Sequence, residues 1–333
     1  MIEINRCPST LSEGYSAYSP EAVKRLFGGQ KVSPFLDFKI EGRRGYDIAS
    51  SLRRISVSGV QEKFPALIES GKIRMSNPYE RSTHILKPAP LDYVLAWRKQ
   101  IPANEHLTMQ IASQVYGIET AENGLCFSND GRPVYITKRF DIMPNGSKLP
   151  MEDLASVIGR GDRGEGLMFK YEGCYEDIAM AIKKNVADSK GDLERFFAIV
   201  VFNYIYTNGD AHLKNFSLID DGRGYRLAPA YDLLNTCLHV EGDDFGLVGG
   251  LSPNIEKSEV YEKTGHPCRL VFLHFGLLVG IDAKRVAEIL DRYMEIPTAA
   301  RRLIANSFLS EKMKRSYLRI AEERARRFAR KSD

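Results

Sequence analysis

The sequence has little that would indicate a disulfide-stabilised, zinc-stabilised or membrane-embedded protein. Its five cysteines are scattered, form no Cys-x-x-Cys pair and are odd in number, which argues against a disulfide framework. The six histidines also lack zinc-site spacing, so we expect no structural zinc. The longest apolar run, Phe196 to Tyr206, is interrupted by Asn203 and is too short to span a bilayer. It predicts a buried core helix and no membrane role.

The chain also lacks a strong excess of charge of one sign. Its 47 Lys and Arg residues against 43 Asp and Glu residues leave a formal net charge of +4. The charges are therefore too nearly balanced to produce a long-range field that would favour direct nucleic-acid binding. The basic cluster near the C-terminus is typical of a solvated helix face. Residues 1–10 show no cationic segment followed by an apolar stretch, so we expect no secretory signal and a cytoplasmic protein.

The pattern of apolar residues predicts an α+β fold in two lobes. Strand-like alternation dominates up to Phe140, and helical spacing dominates beyond it. We therefore predict a small sheet-rich N-lobe, residues 1–140, and a larger helical C-lobe, residues 141–333. Within the first lobe, Asn104 and Gly117 predict the two ends of a helix. The predicted strands are 64–68, 72–75, 83–87 and 134–137.

Two further helices have clear end signals. Ser19-Pro20 before an apolar pattern, and Gly28-Gly29 after it, predict a short helix in the first lobe. Asp192 is a candidate N-cap for a helix that is apolar on nearly all sides and runs to Tyr206. That second helix is expected in the core of the C-lobe.

The clearest functional signal follows that apolar helix. Residues 208–215 read Asn-Gly-Asp-Ala-His-Leu-Lys-Asn and precede a strand–turn–strand over 216–219 and 225–228. Phosphoryl transfer needs a carboxylate to hold and deprotonate the attacking hydroxyl, and an oxygen ligand for Mg²⁺ nearby. We predict Asp210 as the catalytic base and Asn215 as a metal ligand.

A second metal ligand is expected where the returning strand ends. Asp232 lies there, in Ala-Pro-Ala-Tyr-Asp. Kinase chemistry also needs a lysine on a strand to neutralise the ATP phosphates, and Lys87 ends Thr-His-Ile-Leu-Lys. Glu105 is a candidate partner that would orient Lys87, or a first-turn residue that only favours the helix dipole. A turn-capping role for Asp210 and Asp232 is the open alternative, against which their order with Asn215 counts.

Several segments together resemble the HipA-family serine/threonine kinase toxins, and within them the compact HipT members of three-part systems. The segments are Ser56 to Lys63, Thr83 to Pro88, Lys138 to Asp141, Lys170 to Gly173, Asp210 to Asn215 and Tyr231-Asp232. The resemblance runs in order over residues 56–232. It implies a protein-kinase-like fold, ATP and Mg²⁺ as cofactors, and transfer of the γ-phosphate to a serine or threonine of another protein.

The resemblance also assigns roles to residues. Residues 58–63 would form the loop over the ATP phosphates, and residues 138–140 would form the hinge whose backbone meets adenine. Ser56 and Ser58 would be autophosphorylation sites, with ordinary turn serines as the alternative. The residues assigned to ATP binding are Ser58, Gly59, Val60, Gln61, Glu62, Lys63, Lys87, Lys138, Arg139, Phe140, His212, Lys214, Asn215, Tyr231 and Asp232.

By the same resemblance the protein would be the toxin of a toxin–antitoxin system that inhibits translation and growth and is linked to persistence. Its partners would be a HipS-like small antitoxin and a HipB-like helix-turn-helix DNA-binding protein. Longer relatives carry a further N-terminal subdomain before the loop, and only a short segment precedes Ser56 here, which leaves room for the small partner. The expected target is an aminoacyl-tRNA synthetase, tryptophanyl or glutamyl.

Two other functions stay open at the level of sequence. Sugar and choline kinases use a similar Gly-Asp-x-His loop, so a small-molecule phosphotransferase is one alternative. A non-catalytic kinase-fold module that only binds antitoxins is the other. Retention of Lys87, Asp210, Asn215 and Asp232 counts against the second alternative.

Overall fold

The computed structural model describes residues 3–40, 61–91, 95–161 and 166–330. The first sheet is formed by five strands: β1 Phe64–Glu69, β2 Lys72–Met75, β3 His84–Lys87, β4 Asn123–Phe127 and β5 Pro133–Lys138. Their order is β2-β1-β3-β5-β4 and all neighbours are antiparallel. The four predicted strands are thus confirmed. Because β3 is central, its last residue, Lys87, lies inside the sheet rather than at an edge.

Helix α1, Pro20–Phe27, covers one part of this sheet. The Ser19 side chain accepts a hydrogen bond from the Ala22 amide at its start, and Gly28 ends it with φ 62°. That left-handed conformation favours glycine. Leu26 and Phe27 are buried beside apolar residues of the sheet. The short helix predicted from its proline and glycine signals is confirmed.

Helix α2, Ile101–Tyr116, packs on β4 and β5. It ends at Gly117, as predicted, but it begins three residues before Asn104, with Gln100 as its N-cap. The expected capping role of Asn104 is therefore wrong. Its side chain is buried and instead holds the backbone of Asn235, with Nδ2 donating to the carbonyl at 2.8 Å. This interaction ties α2 to the segment that follows Asp232.

The remaining helices form most of the second half of the chain and enclose the largest apolar core. Their bounds are α3 Leu154–Val157, α4 Tyr175–Asn185, α5 Lys190–Ile205, α6 Glu259–Thr264, α7 Arg269–Leu278, α8 Ala283–Asp291, α9 Thr298–Asn306 and α10 Glu311–Phe328. Helix α5 is buried on nearly all sides, as its sequence predicts. Within the described ranges, no helix combines the length and the apolar composition needed to cross a bilayer.

Helix α5 begins earlier than the sequence signal indicates. Its N-cap is Ser189 rather than Asp192. The Asp192 carboxylate accepts a hydrogen bond from the Leu227 amide at 2.9 Å and forms an ion pair with Arg195 at 2.7 Å. Asp192 thus connects α5 to a strand of the second sheet instead of capping the helix.

A second, three-stranded antiparallel sheet places the candidate catalytic residues. Its strands are β6 Met151–Asp153, β7 Ser217–Asp220 and β8 Tyr225–Leu227, in the order β6-β7-β8. The predicted strand–turn–strand is confirmed. The β7–β8 hairpin follows residues 208–215 and returns the chain to Asp232, which brings the two predicted metal ligands to the same end of the hairpin.

Candidate active site

Three elements meet at the ammonium of Lys87. Its Nζ lies 2.6 Å from Glu105 Oε1 on α2 and also donates to Asp232 Oδ1, after β8. All three side chains are buried. Burial alone would lower the pKa of Lys87, but the Asp232 and Glu105 carboxylates raise it above its ordinary value. Lys87 is therefore a fixed cation, and Glu105 is its partner rather than only a helix-end residue.

Burial raises the pKa of Glu105 to about 6, while the charge of Lys87 limits the rise. The same burial would raise the pKa of Asp232, but Lys63 and Lys87 lower it well below its ordinary range. Asp232 is thus ionised, with two ammonium groups on its carboxylate. The group predicted to bind a metal carries the negative charge that this role needs.

The backbone of Asp232 has φ 57°, in the left-handed region. Few residues other than glycine adopt this conformation, although Asp and Asn do so more readily than most. The Asn208 side chain donates from Nδ2 to the Asp232 carbonyl at 3.3 Å. A residue of the predicted catalytic loop thus holds the strained turn that presents the Asp232 carboxylate.

The end of the predicted ATP loop reaches the same site. Lys63, directly before β1, places its Nζ 3.1 Å from Asp232 Oδ2. Gln61 donates from Nε2 to the Pro88 carbonyl at 3.1 Å, and Glu62 is half-buried. The other residues predicted for ATP binding or autophosphorylation in and near this loop lie outside the described residues. They are Ser56, Ser58, Gly59 and Val60.

The catalytic-loop residues are held by one another and by Tyr171. The Asp210 side chain is buried, and its Oδ1 accepts a hydrogen bond from the Tyr171 hydroxyl at 2.9 Å. Asn215 Nδ2 lies 3.4 Å from Asp232 Oδ2, and Asn215 Oδ1 accepts from the His212 amide at 3.2 Å. The structure therefore brings the predicted base and both predicted metal ligands into one cluster.

His212 is buried beside this cluster. Burial and the charge of Lys170 lower its pKa to about 3, so the ring is neutral at physiological pH. Within the described part of the chain, neither ring nitrogen has a hydrogen-bond partner. The ring packs edge-on against Tyr171, with 5.2 Å between the centroids. Two buried polar atoms are thus available for a ligand, which suits the predicted role in nucleotide binding.

Lys214 and Tyr231 lie at the rim of the cluster. The Lys214 ammonium forms an ion pair with Asp153 Oδ2 at 3.0 Å and is partly exposed. The Tyr231 hydroxyl donates to the Lys214 carbonyl at 2.9 Å. Lys214 is thus turned towards β6, whereas Tyr231 contacts the loop from the side of Asp232.

The three predicted hinge residues divide into two groups. The Lys138 ammonium donates to a carbonyl in the last turn of α1 at 3.4 Å, and Arg139 forms an ion pair with Asp141 at 2.6 Å. Both side chains therefore point to structural partners. The centroid of the Phe140 ring lies 5.9 Å from that of the Tyr231 ring, and Tyr231 directly precedes Asp232 in the chain. Of the three, Phe140 has its side chain beside the site, and the hinge role of residues 138–140 stays a prediction.

No sequence pattern identifies residues 242–250, the segment that supports the catalytic loop from behind. A Cβ added to Gly246 would lie 2.5 Å from the backbone of Ala211. The Val248 amide donates to the Tyr171 carbonyl at 2.9 Å. The only signal for this contact in the sequence is the glycine itself, since glycine allows two backbones to approach closely. The glycine does not reveal which backbone approaches.

The same segment lines an open groove of about 1030 Å³ beside the catalytic loop. Met168 and Tyr261 contribute to its walls, and Val248 is 76% exposed at its surface. An ion pair of Asp244 with Arg324 supports the far wall. The groove thus places a large, partly apolar surface next to the residues that surround Asp210.

The donor set of the cluster fits Mg²⁺. Hard divalent cations take oxygen ligands, and Mg²⁺ is usually held by one or two carboxylates together with substrate phosphates and water. Asp232 offers a carboxylate and Asn215 an amide oxygen, on side chains whose polar atoms approach to 3.4 Å. These two residues would hold the ion.

Curated relatives of the chain carry kinase names. The protein named "Putative kinase Y4mE" from Sinorhizobium fredii is 28% identical over 194 residues, which are 56% of this chain and 44% of that relative. A "Putative kinase" from Haemophilus influenzae is 26% identical over 243 residues, 70% of this chain and 68% of the relative. The chain thus spans less than half of the length of Y4mE and about two thirds of that of the second relative.

The fold is similar to that of a solved HipA structure. The Shewanella oneidensis MR-1 HipA, determined as a complex of HipA, HipB and operator DNA, superposes with a TM-score of 0.62 at 18% identity. The match covers 82% of this chain and 63% of HipA. The architecture is accordingly the α+β, protein-kinase-like fold that the sequence predicts.

The family model of the HipA-like C-terminal domain matches residues 55–300. That range includes β1 to β8 and every described residue of the cluster around Asp232. The chain therefore belongs to the family of HipA-like C-terminal domains.

Proposed function

We propose that this protein is an ATP- and Mg²⁺-dependent kinase that phosphorylates a serine or threonine of another protein. The observation that carries the proposal is the convergence of the Lys87–Glu105 ion pair on Asp232, with Asp210 and Asn215 beside it. Phosphoryl transfer depends mostly on positioning and on charge compensation, and these are the parts it needs. The kinase names of the curated relatives support the kinase activity in this proposal.

In the proposed reaction, Lys87 binds phosphate oxygens of ATP while Glu105 keeps its ammonium in place. Mg²⁺, when bound, neutralises charge on the phosphates and helps to align them. Asp232 and Asn215 would hold the ion. Since Lys63 and Lys87 both contact the Asp232 carboxylate, we expect both to exchange that carboxylate for phosphate oxygens when ATP binds.

Asp210 is the proposed base. The Tyr171 hydroxyl holds Oδ1 of Asp210 and thereby fixes the orientation of the carboxylate. The acceptor hydroxyl forms its oxygen–phosphorus bond with the γ-phosphorus, the bond to the β,γ-bridging oxygen breaks, and Asp210 accepts the hydroxyl proton. ADP leaves with the electrons of the broken bond.

The groove beside the catalytic loop favours a protein acceptor over a metabolite. Its volume of about 1030 Å³ and its open form suit an extended polypeptide, whereas small ligands are usually enclosed in tighter pockets. The test is to add ATP labelled in the γ-phosphate and the purified protein to a cell lysate. Label in macromolecules supports the proposal, and label confined to the small-molecule fraction would assign the chain to the metabolite kinases.

The biological role proposed here rests on the family resemblance. It is that of a HipT-like toxin, inhibited by a HipS-like antitoxin and a HipB-like DNA-binding protein, that phosphorylates an aminoacyl-tRNA synthetase and itself at Ser56 or Ser58. The solved HipA neighbour, which was determined with HipB and operator DNA, supports the choice of partners. Expression of the protein alone should stop growth, and a folded Asp210→Asn variant should not. Equal toxicity of the two proteins would remove the catalytic account of toxicity.

A further inference from the structure

Lys170 is a buried cation that has no role in the proposed reaction as set out for Lys87, Asp210, Asn215 and Asp232. Only 6% of the residue's surface is exposed. Its Nζ lies over the Tyr171 ring, 4.9 Å from the centroid, and no carboxylate within the described ranges forms an ion pair with it. Lysine is seldom buried unless it is paired, because removal of an ammonium from water is unfavourable. A buried lysine that has no ion pair among the described residues therefore needs a reason.

The neighbours of Lys170 place it at the reacting centre. The Tyr171 ring under its ammonium carries the hydroxyl that holds Asp210, and the same ring packs edge-on against that of His212. Burial lowers the pKa of Lys170, and the carboxylates of Asp210 and Asp232 act against that shift. Lys170 thus lies close enough to both of these carboxylates to interact with them electrostatically.

The same place holds other unsatisfied groups. Both ring nitrogens of His212 are buried without a partner among the described residues. The ammonium groups of Lys63 and Lys214 repel that of Lys170, so three cations lie near one another at this place. An arrangement of this kind is stable when an anion binds to it. The anion that the proposed reaction brings between Asp210 and Asp232 is the γ-phosphate.

We propose that Lys170 binds the γ-phosphate of ATP and stabilises its oxygens during transfer, separately from Lys87, which binds the phosphates from the sheet. The proposal rests on the proposed kinase function. Charge accumulates on the equatorial oxygens of the transferred group, and a cation already fixed in a water-poor site stabilises it strongly. The competing explanation is that Lys170 only supports the Tyr171 ring through a cation–π contact.

The two explanations predict different effects of a Lys170 substitution on the affinity for ATP and on the affinity for ADP. Isothermal titration calorimetry would compare Mg-ADP with the Mg complex of the β,γ-imido analogue of ATP, for the wild type and for Lys170→Met. We expect the variant to bind the analogue about tenfold to a hundredfold more weakly, the loss typical of one charge-assisted hydrogen bond, and to bind ADP nearly as the wild type does. Lys170→Arg should keep most of the preference, and Lys184→Met, on the exposed end of α4, should keep all of it.

A parallel measurement on the unmodified protein covers the case in which Lys170→Met does not fold. Lysine-directed labelling, mapped by mass spectrometry, should be slowed at Lys170 by the imido analogue more than by ADP. Equal effects of the two nucleotides, in either experiment, would contradict a γ-phosphate contact and leave Lys170 as a support of Tyr171. Failure of the wild type to bind either nucleotide would instead contradict the proposed kinase function itself.

Discussion

The ammonium of Lys63 lies 3.1 Å from Oδ2 of Asp232, so the residue directly before β1 reaches the carboxylate that follows β8. Lys87 donates to the other oxygen of the same carboxylate. Both oxygens of the proposed metal ligand are therefore in contact with protein cations. Nucleotide and metal binding are expected to be coupled through this exchange of partners, because phosphate oxygens can receive the lysines that the metal displaces.

Removal of Lys63 should make the nucleotide-free protein a better metal binder. In Lys63→Met one competing cation is absent from Asp232, so we expect Mn²⁺, used as a spectroscopic substitute for Mg²⁺, to bind a few-fold more tightly. The effect is limited because Lys63 is 47% exposed and its charge is screened by solvent. Electron paramagnetic resonance of free Mn²⁺ measures it. Lys72→Met, which removes a lysine whose partner is the surface residue Asp37, is the control, and equal affinities in all three proteins would contradict the exchange.

Glu105→Gln should impair ATP use without loss of the fold. Glutamine keeps the size of the side chain and an acceptor oxygen, but it removes the charge that holds Lys87 at 2.6 Å. We expect kcat/KM for ATP to fall by about tenfold to a hundredfold, the range for loss of one charged hydrogen bond. Glu122→Gln, at a surface ion pair with Arg25, should leave kcat/KM unchanged. Near-normal activity of Glu105→Gln would mean that Lys87 does not need its partner.

A pair of glycine substitutions tests whether residues 242–250 position the catalytic loop. A Cβ at Gly246 would lie 2.5 Å from the Ala211 backbone, whereas one at Gly242 meets nothing within 4 Å. Gly246→Ala must displace the loop that carries Asp210, so we expect kcat to fall by more than tenfold, since small misplacements of reacting groups are costly. ATP affinity should change little. Gly242→Ala, in the same segment, is expected to behave as the wild type, and equal kcat values would contradict this role of the segment.

Stability should decrease as the pH falls from 6.5, and His239 should contribute to this decrease. Its Nδ1 lies 2.8 Å from the Ala96 carbonyl and its Nε2 lies 2.8 Å from the Asn104 side-chain nitrogen, so the folded protein uses the neutral ring. Burial lowers the pKa of His239 to about 4 from an ordinary 6.5. Only the unfolded chain takes up this proton between those two values, so its contribution to the free energy of unfolding is complete above pH 6.5 and decreases below it.

The corresponding loss is about 2 kcal/mol between pH 6.5 and 5. His239→Gln can donate to Ala96 and accept from Asn104 without a titrating group. Urea unfolding across this pH range should therefore show a smaller pH slope for His239→Gln than for the wild type. His274→Gln, at an exposed position, should retain the wild-type slope. An unchanged slope in His239→Gln would show that this ring does not set the acid sensitivity.

Local patterns predicted most of the elements but not all of their ends. Strands β1 to β3, β5, β7 and β8 and helix α1 follow from alternation and from proline and glycine signals. Asn104 and Asp192 were expected to cap helices because their side chains suit that role, yet both are used in contacts with distant segments. Such contacts depend on the tertiary structure, which no local pattern contains.

The candidate site likewise contains residues that the sequence can identify and contacts that only the tertiary structure reveals. Asp210, Asn215 and Asp232 could be chosen because the chemistry of phosphoryl transfer prescribes their types and their order along the chain. The contacts of Tyr171 with Asp210 and of Gly246 with Ala211 join residues that are far apart in sequence and have no characteristic spacing. They became visible only with the fold.

The protein is proposed to transfer the γ-phosphate of ATP to protein hydroxyls. The most direct test starts from phosphatase-treated protein, incubates it with Mg-ATP and follows intact mass and phosphopeptides by mass spectrometry. Asp210→Asn and Asp232→Asn are the matched variants, because asparagine keeps the size of each side chain and tolerates the left-handed backbone of Asp232. We predict phosphate on the wild type, within residues 56–58, and none on the folded variants. Absence of phosphate on a wild-type protein that binds ATP, or equal phosphorylation of all three proteins, would contradict the account.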